Sequence, residues 1–314
     1  MKPCESEFLT LRGQRMHVRC WQNNPALPLL VMLHGWGDVS ATWQFVVDEI
    51  SPHWRFIAPD WRGFGLSAWN NGSYWFPDYV ADLDALLNHY SPTRPVNLVA
   101  HSMGGNVACL YAGLRPERVA GLVTLEGFGL PARRVAEAPS RYARWLAQAG
   151  AVNAPSATQG FRPYADWAAL AGRLAADNPR LTSGQAAFLA THLGVEKVDG
   201  RGASLIHLAI DPCHRWTSPL PYSLPDAMAI WRQVRAPVLW LRGAESAFVR
   251  SLMTHEADGA DAYQVRMACF QQLREVVIPE AGHNMHHDQP QKVAQLIDGF
   301  FTHLTIFPDE STQR

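Results

Sequence analysis

Short apolar runs separated by helix-length amphipathic stretches set the rhythm of this sequence, and that rhythm constrains the fold more than any other feature. Residues 29–33, Leu-Leu-Val-Met-Leu, form a continuous apolar run between Pro28 and His34-Gly35. A run with polar or turn residues only at its ends suits a strand buried on both faces of a parallel sheet. Helical patterning follows over 41–50. The alternation then repeats: a strand at 55–58, a helix at 79–90, a strand at 96–100, a helix at 105–114 and a strand at 119–125. Strands alternating with helices predict a parallel sheet joined by right-handed crossovers. Ahead of this series, 8–12 and 16–21 are split by Gly13 and Gln14 and read as a β-hairpin.

The rhythm breaks after Glu126 and resumes at 237–241, followed by a helix at 263–273, a strand at 275–278 and a helix at 291–304. The stretch between is rich in Ala, Arg and Trp, with helical periodicity at 165–175 and 184–193. A structureless loop of that length is uncommon in a compact domain. The expected organisation is therefore a core built from 1–126 and 237–314, with a mostly helical cap at 127–236.

Composition narrows the function classes. Hydrophobic residues make up 47% and charged residues 18%, which places the chain among folded globular proteins. The net charge is −1, without a basic stripe or polybasic tail, so neither nucleic acid nor an anionic membrane surface is an expected partner. The five cysteines are odd in number and form no CxxC pair, which favours free thiols over a disulfide framework or structural zinc. The opening MKPCESEFLT has no apolar segment of the signal-peptide kind, and no run of about 18 apolar residues occurs. The expectation is a cytoplasmic protein acting on a small-molecule substrate.

Three segments carry chemistry. Val99-Ala100-His101-Ser102-Met103-Gly104-Gly105 follows a strand and opens a helix, the setting of a nucleophile elbow. The turn is sharp, so the residues two before and two after the serine must be small; Ala100 and Gly104 are. A serine needs an adjacent base. Ile278-Pro279-Glu280-Ala281-Gly282-His283 lies between the last strand and the last helix, which puts His283 at the carboxyl edge of the sheet beside Ser102. His286 and His287 raise the idea of a metal cluster, but no carboxylate–histidine ligand spacing supports it, and no metal is expected. The first long strand ends in His34-Gly35-Trp36-Gly37-Asp38, where the Trp36 N–H could join the Met103 N–H around a developing oxyanion. For the group that orients His283 there are two candidates. Glu245, in Arg242-Gly243-Ala244-Glu245-Ser246, comes first because it follows the 237–241 strand in the usual triad order. Glu126, just past the 119–125 strand, is the alternative.

Taken together, LLVMLHGWGD, APDWRGFGLSAW, VAHSMGGNVA, APVLWLRG and IPEAGHNMHHDQP resemble the α/β-hydrolase superfamily across nearly the whole core. LEGFGLP and DPCHRW are similar to segments of capped bacterial hydrolases and serine hydrolase-like proteins. The resemblance implies an eight-stranded, mostly parallel sheet with its second strand antiparallel, a cap inserted after strand six, and triad chemistry at Ser102 and His283. Members usually carry the acid three residues after the glycine that ends strand seven. That position is Ser246 here, with Glu245 one residue earlier. LEGFGLP also resembles haloalkane dehalogenases, some of which place a glutamate there, which favours Glu126. Dehalogenation and epoxide hydrolysis are disfavoured, because both need a carboxylate at the elbow and the residue is Ser102.

The expected activity is cofactor-free, carboxylesterase-like hydrolysis of a small or medium apolar ester through an acyl-enzyme. The same triad could serve a carbon–carbon bond hydrolase, a perhydrolase or a lyase. A non-catalytic binding protein is the rival from a different class. Of the twelve tryptophans, Trp145, Trp167, Trp216 and Trp231 fall in the expected cap, where most would pack and some could line an apolar pocket.

Overall fold

The computed structural model describes residues 1–70, 72–127, 129–130, 135–150, 161–198, 200, 202–254 and 262–306. In chain order the elements are β1 (Cys4–Leu11), β2 (Gln14–Trp21), β3 (Leu29–Leu33), α1 (Gln44–Glu49), β4 (Arg55–Pro59), α2 (Phe76–Tyr90), β5 (Val96–His101), α3 (Met103–Leu114) and β6 (Val119–Leu125). Then come α4 (Ala138–Gly150), α5 (Trp167–Asp177), α6 (Ser183–Leu193), β7 (Gly194–Val198), β8 (Ser204–Leu208) and α7 (Leu224–Trp231). The chain finishes with β9 (Val238–Gly243), α8 (Ala247–Thr254), α9 (Ala262–Met267), β10 (Leu273–Ile278), α10 (Met285–Asp288) and α11 (Pro290–Ile306).

Eight strands form one sheet in the order β1-β2-β4-β3-β5-β6-β9-β10. β2 runs antiparallel to both β1 and β4, and every other pairing is parallel. The period of two along each strand sorts apolar side chains onto two faces. Val31 and Leu33 join the layer of α2, α3 and α7, where Leu83, Tyr111 and Trp231 are buried. Leu30 and Met32 join the opposite layer, with Val46 of α1 and Ile297 and Phe301 of α11. Because both faces are covered, the central strands read as unbroken apolar runs.

The insertion between β6 and β9 is less purely helical than its Ala-rich stretches suggest. Alongside α4 to α7 it contains the antiparallel pair β7–β8. Val195 and Val198 stand exposed on β7, so the strand lacks the apolar run that marks the core strands. Residues 128, 131–134, 151–160, 199 and 201 of the expected cap lie outside the described residues. A second difference concerns 263–273, expected as one helix. There α9 ends at Met267, a turn intervenes, and β10 begins at Leu273. No helix among the described residues is long and apolar enough to cross a membrane.

Candidate active site

Parallel strands deliver their carboxyl ends to one edge of the sheet, and three adjacent strands set the site there. Ser102 sits between β5 and α3 with φ 49° and ψ −113°, a backbone conformation an L-residue adopts only when its surroundings impose it. Tight packing imposes it: a Cβ on Gly104 would stand 2.5 Å from the Leu33 carbonyl oxygen. Glu126, one residue past β6, is also left-handed at φ 51°, and Glu280 on the His283 loop at φ 52°. Of the five non-glycine residues with positive φ among those described, three therefore belong to the segments that converge here.

Ser102 Oγ lies 3.0 Å from His283 Nε2, and His283 Nδ1 lies 2.6 Å from Glu126 Oε2. Glu126 is fully buried. Its carboxylate also accepts from the Gly243 N–H at 2.8 Å and from the Ser246 hydroxyl at 2.6 Å, so the buried charge is held by three donors. An ionised carboxylate can only accept. The proton between it and His283 is therefore on Nδ1, which leaves Nε2 to accept from the Ser102 hydroxyl.

Glu245, the first candidate for orienting His283, stands elsewhere. Its side chain is 54% exposed and pairs with Arg180 of the insertion. The reason lies in the loop geometry. The Glu245 N–H bonds to the Ala281 carbonyl at 2.9 Å, while the next residue, Ser246, turns inward and is 1% exposed. Position 246, where the resemblance leads one to expect the acid, is thus a serine that donates to a carboxylate from the neighbouring strand. The alternative, Glu126, is the one that meets His283.

Gly35 packs against the elbow so closely that a Cβ on it would stand 3.2 Å from the Ser102 Cβ and 2.7 Å from His101 Nδ1. This brings the Trp36 segment beside the serine. The Trp36 N–H finds no acceptor among the described residues. Met103 opens α3, so its N–H has no partner within the helix. Trp36 is 50% exposed, and its ring lies 6.4 Å from those of Phe64 and Phe161. Phe248 lies 4.8 Å from the His283 ring. These side chains supply aromatic surroundings, and two of the insertion's four tryptophans are engaged elsewhere. Trp231 is fully buried against Phe270, and Trp145 donates to Ser73.

Beneath His283 lies a buried group of imidazoles not anticipated as part of the site. His101 Nε2 donates to the His283 carbonyl at 3.0 Å. Burial, then the neighbouring His286 and His283, hold its pKa well below the usual histidine value. Its ring lies 4.4 Å from that of His286. Asp38, His286 and His287 present ligand atoms within 4.8 Å of one another and are the residues here that could hold a cation. Folding thus creates a carboxylate–histidine grouping that the linear spacing does not contain. The Thr42 hydroxyl lies between the two rings, 2.9 Å from His286 Nε2 and 2.5 Å from His287 Nε2. Asp288 anchors the same loop: it accepts from the Gly282 N–H at 2.8 Å and from Asn178 of the insertion at 2.7 Å.

Comparison with known proteins places this architecture. The serine hydrolase-like protein of Danio rerio is 28% identical, over 96% of this chain and 89% of its own length. A haloalkane dehalogenase of Mesorhizobium japonicum is 38% identical over 32% of each chain. Among solved structures, a thioesterase domain from the curacin biosynthetic pathway superposes with a TM-score of 0.78 at 22% identity, covering 94% of this chain and 99% of that one. An esterase from Thermogutta terrifontis gives 0.64 at 22% identity, covering 96% and 99%. The family model for the alpha/beta hydrolase fold matches residues 28–290, and the chain belongs to that family.

Proposed function

We propose that the protein is a serine hydrolase that cleaves ester-like bonds of small or medium apolar substrates through an acyl-enzyme, with Ser102 as nucleophile, His283 as base and Glu126 as its orienting acid. The observation that carries this reading is the hydrogen-bonded chain from Ser102 through His283 to the buried Glu126. In the first step His283 Nε2 takes the hydroxyl proton as Ser102 Oγ attacks the carbonyl carbon. The electron pair moves onto the carbonyl oxygen, where the Trp36 and Met103 amides hold it. Collapse of this intermediate expels the leaving group, which takes the proton from His283. Water then attacks the acyl-enzyme by the same route and releases the acid. Throughout, Glu126 fixes the tautomer of His283 and stabilises its imidazolium. No cofactor or metal enters these steps. The rings of Trp36, Phe161 and Phe248 support an apolar acyl group, and the insertion serves as the cap that excludes water from it.

The test is hydrolysis of p-nitrophenyl esters from acetyl to octanoyl. Wild type is expected to turn over, and Ser102→Ala to lose about 10⁴-fold or more in kcat. Full activity in Ser102→Ala would remove Ser102 as nucleophile. A wild type inert toward the whole series would remove the ester reading.

A further inference from the structure

Arg19, near the middle of β2, is a buried cation without an acid. It is 8% exposed, and no carboxylate pairs with it among the described residues. One Nη donates to Cys4 Sγ at 2.9 Å and the other meets His192 Nδ1 at 3.4 Å. Its Nε is buried without any hydrogen-bond partner, and so is the hydroxyl of Ser40. Both residues line the same cavity, about 320 Å³ in volume, between the sheet and the insertion. Asp60, the acid among the cavity's lining residues, is already engaged: it accepts from His17, from the Ser40 N–H and from the Leu66 N–H. His192 does not add a second charge, because burial and the neighbouring Arg19 push its pKa down to about 4. Lys197, over the Trp69 ring at 5.1 Å, supplies a more exposed cation on the same wall. Apart from Thr191 the remaining walls are apolar or glycine, with Leu66, Trp69 and Val195 among them. None of the cavity's lining comes from Ser102, His283 or Glu126.

Buried charges are ordinarily paired, and buried donors ordinarily have acceptors. Two donors without acceptors, on residues that line one cavity and one of them a guanidinium, match the two oxygens of a carboxylate. Apolar walls and a volume in the ~300–1,000 Å³ range of small-molecule sites call for an organic body rather than a bare ion. We propose that this cavity binds a small apolar carboxylic acid, its carboxylate held by Arg19 and the Ser40 hydroxyl and its hydrocarbon part against Leu66, Trp69 and Val195. The site does not depend on the chemistry proposed for Ser102. It joins the core to the insertion, since Thr191, His192 and Val195 come from the latter.

The experiment is calorimetric titration of the full chain with hexanoate, its neutral analogue hexanamide and inorganic phosphate, repeated on Arg19→Met and Val195→Trp. Hexanoate is expected to bind wild type at least tenfold more tightly than hexanamide or phosphate, and each variant is expected to weaken it at least tenfold. Val195→Trp fills the cavity and leaves Arg19 intact, so the test survives if Arg19→Met fails to fold. A second readout separates a binding site from a structural arginine. Without ligand, Arg19→Met is expected to melt no lower than wild type, because an unpaired buried charge has been removed. Hexanoate is then expected to raise the melting temperature of wild type alone. Equal affinity for hexanoate and hexanamide, tighter binding of phosphate, or variants that bind hexanoate as wild type does would each overturn the proposal.

Discussion

At the sheet edge Glu126 meets His283 where chain order favours Glu245, and Ser246 donates to the Glu126 carboxylate. A carboxylate can reach the outer face of a catalytic imidazole from either neighbouring strand end. In this chain β6 supplies it, and β9 supplies the donors that hold it, the Gly243 N–H and the Ser246 hydroxyl. If Glu126 orients His283, Glu126→Gln should lower kcat about 10³- to 10⁴-fold on p-nitrophenyl esters, because the amide permits the wrong tautomer. Glu245→Gln should stay within about twofold, since Glu245 is more than half exposed and pairs with Arg180 rather than His283 among the described residues. The reverse result would return the role to Glu245. Ser246→Ala removes one hydrogen bond to a buried charged group, an interaction worth about 1.5–3 kcal/mol. Its kcat should fall about ten- to a hundredfold. KM should hold, and Ser246→Thr should recover much of the loss. A KM effect alone would make Ser246 a packing residue.

The strand–elbow–helix unit β5–α3 was the most legible element in the sequence, and the reason is physical. Its requirements are local: an apolar strand, small residues at Ala100 and Gly104, and a helix starting at Met103. All lie within a few positions of one another. Glu126 was harder to place because its partners, His283 and Ser246, are more than a hundred residues away, and only folding shows which carboxylate points inward. The β7–β8 pair escaped for another reason. Its strands pair mainly with each other, and β7 is largely exposed, so its sequence carries no buried run to announce it. At the elbow itself, Gly104→Ala would set a methyl 2.5 Å from the Leu33 carbonyl oxygen, which is backbone and has little room to shift. Urea denaturation should show a loss of about 1–3 kcal/mol with an unchanged m-value. An undiminished midpoint would mean that the elbow relaxes, and that the strain at Ser102 is not enforced from this side.

The whole molecule should answer to acid through histidines it buries. His287 is 7% exposed, and burial, followed by the neighbouring His286, pushes its pKa down to about 3. His101 is 3% exposed and held well below the usual value, mainly by burial. Both sit in the layer that supports His283, so folding depends on keeping them neutral. The unfolded chain takes up a proton at each near the ordinary histidine value of about 6.5, whereas the folded chain does not. Between that value and the depressed folded one, the unfolded state binds more protons, so stability falls as pH falls. For His287 alone the loss reaches about 2 kcal/mol at pH 5. Denaturant midpoints measured from pH 7.5 to 4.5 should therefore decline from just below pH 7, before most carboxylates begin to titrate. Replacing His287 by leucine should flatten that decline, because the variant keeps an apolar side chain against Phe45 and has no proton to take up. A profile level down to pH 5 in wild type would show that the buried imidazoles accept protons in the folded state. The Thr42–His286–His287 contacts would then have to rearrange around a charge without loss of stability.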